Sequence, residues 1–143
     1  MVTFVDIDAP AGEALATALP GATFIRCDVT DTQALCAALD DAEARRPVDV
    51  LVNNAANDAR RPLEATDEAA WETAVNVNLR HQFFAARHAA GAMKRRRRGA
   101  IINFASVAPE MMIENLSAYS TCSTMLCMWV CTSRSLSGRC VGR

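Results

Sequence analysis

The chain has 143 residues, of which 51% are hydrophobic and 22% charged, and its formal net charge is -1. That is apolar material enough for one domain of ordinary size, and the charge gives no overall pull towards nucleic acid or an anionic lipid surface. No apolar run approaches the ~20 residues that a membrane helix needs, and the start Met1-Val2-Thr3-Phe4-Val5-Asp6 has neither the basic region nor the apolar core of a secretory signal. The expectation is a cytoplasmic protein with no membrane and no nucleic-acid partner.

Val2-Thr3-Phe4-Val5 is a short apolar, β-rich run and predicts a strand ending at Asp6-Ile7-Asp8. Pro10 suits a helix start, and helical spacing follows through Ala14, Leu15, Ala18 and Leu19 until Pro20-Gly21. Thr23 to Cys27 predicts a second strand. Asp28-Val29-Thr30-Asp31 turns the chain, with Thr30 or Asp31 able to cap a helix whose apolar face holds Leu35, Ala38 and Leu39. Pro47 closes that helix. Val48-Asp49-Val50-Leu51-Val52 predicts a third strand, apolar enough to be buried on both faces. After a polar loop from Asn53 to Pro62, Thr66-Asp67-Glu68 opens a long helix that runs past Ala90, with acids in its first turn where the dipole favours them. Ala100 to Phe104 predicts a fourth strand.

Strand and helix alternate with short connections, which predicts an α/β fold with a parallel sheet and helices on both faces. Ligands of such sheets bind beyond the carboxyl ends of the strands. Asp6, Asp28, Asn53-Asn54 and Ser106 fall at those ends.

The six cysteines include no C-x-x-C pair, so free thiols are expected rather than a metal or redox site. The run Lys94-Arg95-Arg96-Arg97-Arg98 lies at a helix end, where cations complement exposed carbonyls, and a solvated helix end is its plain reading. From Asn115 onward no acidic residue occurs while Cys, Ser and Arg accumulate. The expected organisation is a partial domain over 1–122 and an aberrant tail over 123–143.

Four features in this order and spacing resemble the short-chain dehydrogenase/reductase family: Asn53-Asn54-Ala55-Ala56 after a buried strand, Asn76-Val77-Asn78-Leu79 in the long helix, Ser106 after the fourth strand, and Tyr119 thirteen residues later. Asp6 and the Asp28-Val29 pair also fall where that family has them. The likeness covers about residues 1 to 122. Asn53-Asn54-Ala55-Ala56-Asn57-Asp58 and Asn78-Leu79-Arg80-His81-Gln82-Phe83-Phe84 look most like bacterial aldose 1-dehydrogenases of the D-xylose or galactose type, which oxidise a sugar at C1 with NAD.

The resemblance implies a Rossmann-like doubly wound parallel sheet and an oxidoreductase that moves a hydride from an alcohol or sugar carbon to NAD. It implies that Asp6 accepts hydrogen bonds from the adenosine ribose, which disfavours the 2'-phosphate of NADP. Asp28 and Val29 would flank the adenine. Asn53, Ala55 and Ala56 would let the backbone pass close to the cofactor, with Asn53 tying strands together. Tyr119 would be the base, Ser106 the donor to the reacting oxygen, and Asn78 the residue that positions a relay water. The plain alternatives are turn chemistry for the aspartates, a strand-end serine and a buried helix asparagine. The family is usually homo-oligomeric, a property that residues 124–143 put in question here.

Two departures stand against full activity. An unassisted phenol ionises near pH 10, about one part in a thousand at pH 7, and the family supplies a lysine four residues after its tyrosine to correct this. Ser123 stands at that position, and the chain's one lysine is Lys94. The family also opens with a strand and a glycine-rich turn that cradles the pyrophosphate, whereas the six glycines here are scattered. The expectation is therefore a truncated or frame-shifted copy of a sugar-oxidising dehydrogenase, its sheet lacking the first strand and glycine-rich turn. The alternatives are a non-catalytic descendant that binds a partner protein, and a reductase of the same fold acting on a keto, acyl or steroid substrate.

Overall fold

The computed structural model describes residues 1–132. The elements are β1 (Val2–Asp6), α1 (Ala9–Ala18), β2 (Ala22–Arg26), α2 (Thr32–Arg45), β3 (Val50–Asn53), a 3₁₀ turn (Leu63–Ala65), α3 (Glu68–Val75), a π-helical turn (Asn76–Arg80), α4 (His81–Arg96), β4 (Ala100–Asn103) and α5 (Ser117–Thr132). This is the α/β alternation that the sequence predicts. Of the predicted tail, residues 133–143 lie outside the described residues, and α5 runs across the expected boundary at 122.

Local chemistry sets the helix starts. Asp8 accepts a hydrogen bond from the Ala11 N–H, Asp31 from the N–H groups of Gln33 and Ala34, and Asp67 from that of Ala70. Each aspartate thereby satisfies donors that a helix N-terminus leaves unpaired. The long predicted helix is continuous from α3 through α4 but widens into a π turn at Asn76–Arg80. It ends with Arg97 in the left-handed region at φ 54°, which allows the N–H of Arg98 to reach the Met93 carbonyl.

The basic run does more than face solvent. Arg96 pairs with Glu43 and donates to the Val48 carbonyl, while Arg98 pairs with Asp49 at 3.0 Å. The end of α4 is thus fastened to the last turn of α2 and to the loop before β3. The Val48 N–H, and then Arg96, hold the Glu43 carboxyl below its ordinary range.

The strands form two parallel pairs, β1 with β2 and β3 with β4. Asp6 is in register with Arg26, and Asn53 with Asn103. Among the described residues β1 and β3 do not pair with each other. Between them runs a groove of about 720 Å³, lined along both strands and floored by α2 and α4.

The core lies between strands and helices. Cys27, Leu35, Ala38 and Ala85 are buried together, and Val5, Ile25, Val29 and Leu51 pack on them. Burial, with Asp28 and Asp31 nearby, pushes the Cys27 thiol up. A second cluster joins α5 to α3 and the π turn, where Leu116, Cys122 and Leu126 are buried.

Burial is incomplete at two places, the second of them against expectation. The apolar stripe of α1 stays open to solvent, with Leu15 and Leu19 about half exposed, because the helix meets β2 through Gly12 instead. A Cβ at Gly12 would lie 2.3 Å from the Phe24 ring. The third strand is not buried on both faces: Val50 and Val52 remain 52% and 50% exposed. Leu51 faces the helices, so its neighbours point to a side of the sheet that no described helix covers at β3.

Candidate functional site

Of the polar strand-end residues, Asp6, Asn53 and Asn54 border the groove, whereas Asp28 and Ser106 stand away from it. Asp6 closes β1, and its Oδ1 accepts the Asp8 N–H at 2.9 Å while the side chain stays exposed. Asp28 follows β2. Its Oδ1 accepts the Thr30 hydroxyl at 2.7 Å and the Thr30 N–H at 2.9 Å, and these bonds, the hydroxyl first, hold its carboxyl below the usual range. Asn53 is buried at the end of β3. Its Nδ2 donates to Asn103 Oδ1 at 2.7 Å and to the Gln82 carbonyl at 3.4 Å, joining β3, β4 and α4. Asp6, Val29, Asn53 and Ala55 all line the groove. Asp28 does not.

Asn78 sits in the π turn and is 3% exposed. Its Oδ1 accepts the Asn57 N–H at 2.8 Å, and its Nδ2 donates to the carbonyls of Asn57 and Ala74 at 3.0 and 2.9 Å. Both amide hydrogens are therefore spent on protein carbonyls. The Asn78 carbonyl in turn accepts from Gln82 Nε2 at 3.1 Å. The arrangement fixes the loop after β3. A relay water has only the second lone pair of Oδ1 left to it on this side chain.

Tyr119 lies in the first turn of α5, half-buried, on a small cavity of about 140 Å³ whose wall includes Asn57, Arg61 and Thr73. The Arg61 N–H donates to the Asn115 carbonyl at 2.7 Å, which ties the loop after β3 to the approach to α5. Ser106 follows β4, and its Oγ accepts the Ala108 N–H at 3.1 Å. It borders neither cavity. Ser123 is one helical turn beyond Tyr119 and only 3% exposed.

Two buried residues of α4 bear on the site without having been singled out as candidates. His81 is 3% exposed, lines the groove, and has no hydrogen bond of good geometry at either ring nitrogen. Burial pushes its imidazole below the ordinary range, and the nearby Val77 carbonyl offsets this only in part. Gln82 keeps its Oε1 unpaired. The signal was the helical spacing of His81 with Ala85 and Ala89, which are also buried.

The described residues match the donor set of a dinucleotide site only in part. The groove is lined by the exposed carboxylate of Asp6, by Val29 and by Ala55. Among the described residues, Asp8, Asp31 and Asp67 occupy the N-termini of α1, α2 and α3 with their own carboxylates. An anion there would meet negative charge where free N–H groups should be. Among the described residues no three His, Cys, Asp or Glu side chains are grouped to hold a metal, and no helix is long and apolar enough to cross a membrane.

The family model described as short chain dehydrogenase matches residues 1–134. The chain is 39% identical to the probable galactose dehydrogenase GalD of Rhizobium meliloti over 144 residues, covering 96% of this chain and 55% of that protein. It is 39% identical to D-xylose 1-dehydrogenase of Caulobacter vibrioides over 124 residues, covering 84% of this chain and 49% of that one. A crystal structure of a gluconate 5-dehydrogenase from Burkholderia cenocepacia in complex with NADP and tartrate superposes with a TM-score of 0.84 at 29% identity, covering 96% of this chain and 56% of the other. The chain spans about half the length of the curated relatives it matches.

Proposed function

The chain belongs to the short-chain dehydrogenase family, and on that premise we propose that it derives from a sugar-oxidising enzyme that passes a hydride to NAD. The observation that carries this reading is the convergence of Asp6, Val29, Asn53 and Ala55 on one groove. The names of the two 39% identical relatives favour an aldose as the alcohol.

Asp6 would take the adenosine ribose hydroxyls and repel a 2'-phosphate, which favours NAD. The structural neighbour was solved with NADP, so the choice between the two nucleotides is part of the test. Tyr119 would hold and move the alcohol proton, and Ser106 would donate to the reacting oxygen. Asn78 would act by holding the loop at Asn57 in place.

This chain is a handicapped version of that enzyme. No cation stands one turn after Tyr119 to favour its phenolate, because Ser123 is there. A second reading, a non-catalytic binding protein, is favoured by the three helix N-termini that their own aspartates fill.

Calorimetric titration with AMP, NAD and NADP separates the two. The dehydrogenase reading expects weak saturable binding of AMP and NAD, weaker binding of NADP, and relief of that difference in Asp6→Asn. It expects turnover of D-xylose or D-galactose to be slight or absent. Binding of none of the three nucleotides favours the non-catalytic reading. Turnover of a ketone, acyl or steroid substrate instead of a sugar overturns the aldose assignment.

A further inference from the structure

Tyr119 shares its small cavity with a cation. The cavity, of about 140 Å³, is walled by the loop after β3, by α3 and by the start of α5, and all its wall residues lie between Asn57 and Tyr119. Asn57 lines it, two residues after Ala55 lines the groove. Arg61 spans its wall. The Arg61 N–H donates to the Asn115 carbonyl at 2.7 Å, and Nη1 reaches the Ala65 carbonyl at 3.4 Å, beside Thr66. Asn115 and Thr66 both line the cavity.

The backbone end of Arg61 is therefore fixed, while its guanidinium has one long bond to a neutral carbonyl. Among the described residues no ion pair joins Arg61 to a carboxylate, and no Asp or Glu lines the cavity. A guanidinium with most of its donors unspent is suited to a planar, two-oxygen anion. The hydroxyls on the same wall offer the complementary chemistry. Thr66 Oγ1 donates to the Pro62 carbonyl at 3.0 Å, and Thr73 Oγ1 to the Ala69 carbonyl at 2.8 Å. Each has spent its proton and keeps acceptor capacity, which suits the hydroxyl hydrogens of a sugar.

We infer that this cavity selects an acidic sugar, an aldose that also carries a carboxylate, with Arg61 gripping the carboxylate. The inference rests on the sugar-dehydrogenase reading and narrows it, since it names the substrate class for the site at Tyr119. At ~30 Å³ for each water-sized group the cavity has room for part of one monosaccharide and none for a chain of them. A carboxylate brings one charge, which one guanidinium balances. A phosphate monoester brings about two, and would leave charge uncompensated here.

The test is calorimetric titration of the full chain, without nucleotide, using D-galacturonate, D-galactose and D-galactose 6-phosphate. Galacturonate is expected to bind saturably and roughly tenfold or more tighter than galactose, the size of effect that a hydrogen bond to a charged group gives. The phosphate ester is expected to bind more weakly than galacturonate. Amide shifts at Asn57, Thr73 and Ser117 in NMR spectra should mark the site. Arg61→Gln keeps the N–H that holds Asn115 and is expected to abolish the preference for the acid, and Arg61→Lys to keep part of it. Arg60→Gln, next in the chain and off the cavity, is expected to leave the preference unchanged. The inference is overturned if galactose binds as well as galacturonate, if the preference survives Arg61→Gln, if Arg60→Gln abolishes it equally, or if the phosphate ester binds more tightly. Failure of AMP and NAD to bind would instead sink the dehydrogenase reading, and a chain that binds nucleotide without preferring the acid would sink this inference alone.

Discussion

Asn78 holds Asn57 by both of its backbone polar groups, accepting from the N–H at 2.8 Å and donating to the carbonyl at 3.0 Å across 21 residues of chain. The same side chain reaches back one turn to the Ala74 carbonyl at 2.9 Å, inside the π turn. Loop, helix widening and buried amide are therefore one unit. Asn57 also borders the small cavity beside Tyr119, so the unit places one wall of the candidate site.

Asn78→Ala strands the Asn57 groups and opens a void. The expected cost is about 1 kcal/mol, the net worth of a typical hydrogen bond, because the Asn57 groups left behind lie on an exposed residue that water reaches. Exchange of the Asn57 amide is expected to speed up by more than the global loss of stability accounts for. Urea unfolding and residue-resolved hydrogen exchange check this. If Asn57 stays protected in the variant, the clamp does not hold the loop.

Gly12 and Phe24 give a second prediction. The glycine lies in α1 where a Cβ would overlap the Phe24 ring, and that ring packs tilted against Phe4 with centroids 5.5 Å apart. Gly12→Ala should destabilise the fold by about 1–3 kcal/mol through overpacking, although alanine is the better helix former. The aromatic shifts of Phe4 and Phe24 in NMR spectra are expected to move together. A stabilised variant would mean that α1 sits further from the sheet.

Much of this was legible in the sequence because it is local. The aspartate caps, the alternation of strand and helix, and the long helix from Asp67 all follow from residue spacing. Three features were not legible, because each depends on what lies across the fold. Gly12 reads as a poor helix residue until Phe24 is seen beneath it. Val50 and Val52 read as buried, and are exposed because, among the described residues, nothing covers one side and one edge of β3. Lys94 to Arg98 reads as a solvated end, yet Arg96 and Arg98 cross to Glu43 and Asp49, some 50 residues earlier in the chain. The family likeness pointed to Asn53, Asn78 and Tyr119 as candidates, and gave no hint that Asn78 spends both amide hydrogens on carbonyls.

His81 supplies a pH dependence whose sign is fixed by burial. Its imidazole is held below the ordinary range in the folded chain, so the unfolded chain takes up the proton more readily. Stability is therefore full above the unfolded value of about 6.5 and is lost as pH falls from there towards the folded value. His81→Leu removes the titrating group and fills the same space with an apolar side chain. Urea midpoints measured at several values between pH 8 and pH 5 should fall less in the variant than in the parent. Equal slopes in the two chains would show that His81 binds its proton alike in both states.

Ser123 decides whether the candidate base can be restored by a single change. It stands one turn after Tyr119 and is 3% exposed, on a helix packed against α3 and the π turn. A lysine there must thread its stem out of a packed interior before its ammonium reaches Tyr119 or a ribose. Left inside, the ammonium is an uncompensated buried charge, which costs roughly 3–5 kcal/mol. Ser123→Lys is therefore expected to lower the urea midpoint and to give no sugar-dependent reduction of NAD by itself. Ser123→Ala is expected to change stability by less than about 1 kcal/mol, since it removes one small hydroxyl. Turnover by Ser123→Lys, with an unchanged midpoint, would show that the lysine does reach the groove and that one missing cation was the whole defect. A destabilised, silent variant would place the defect in the packing around α5 as well as in the missing charge.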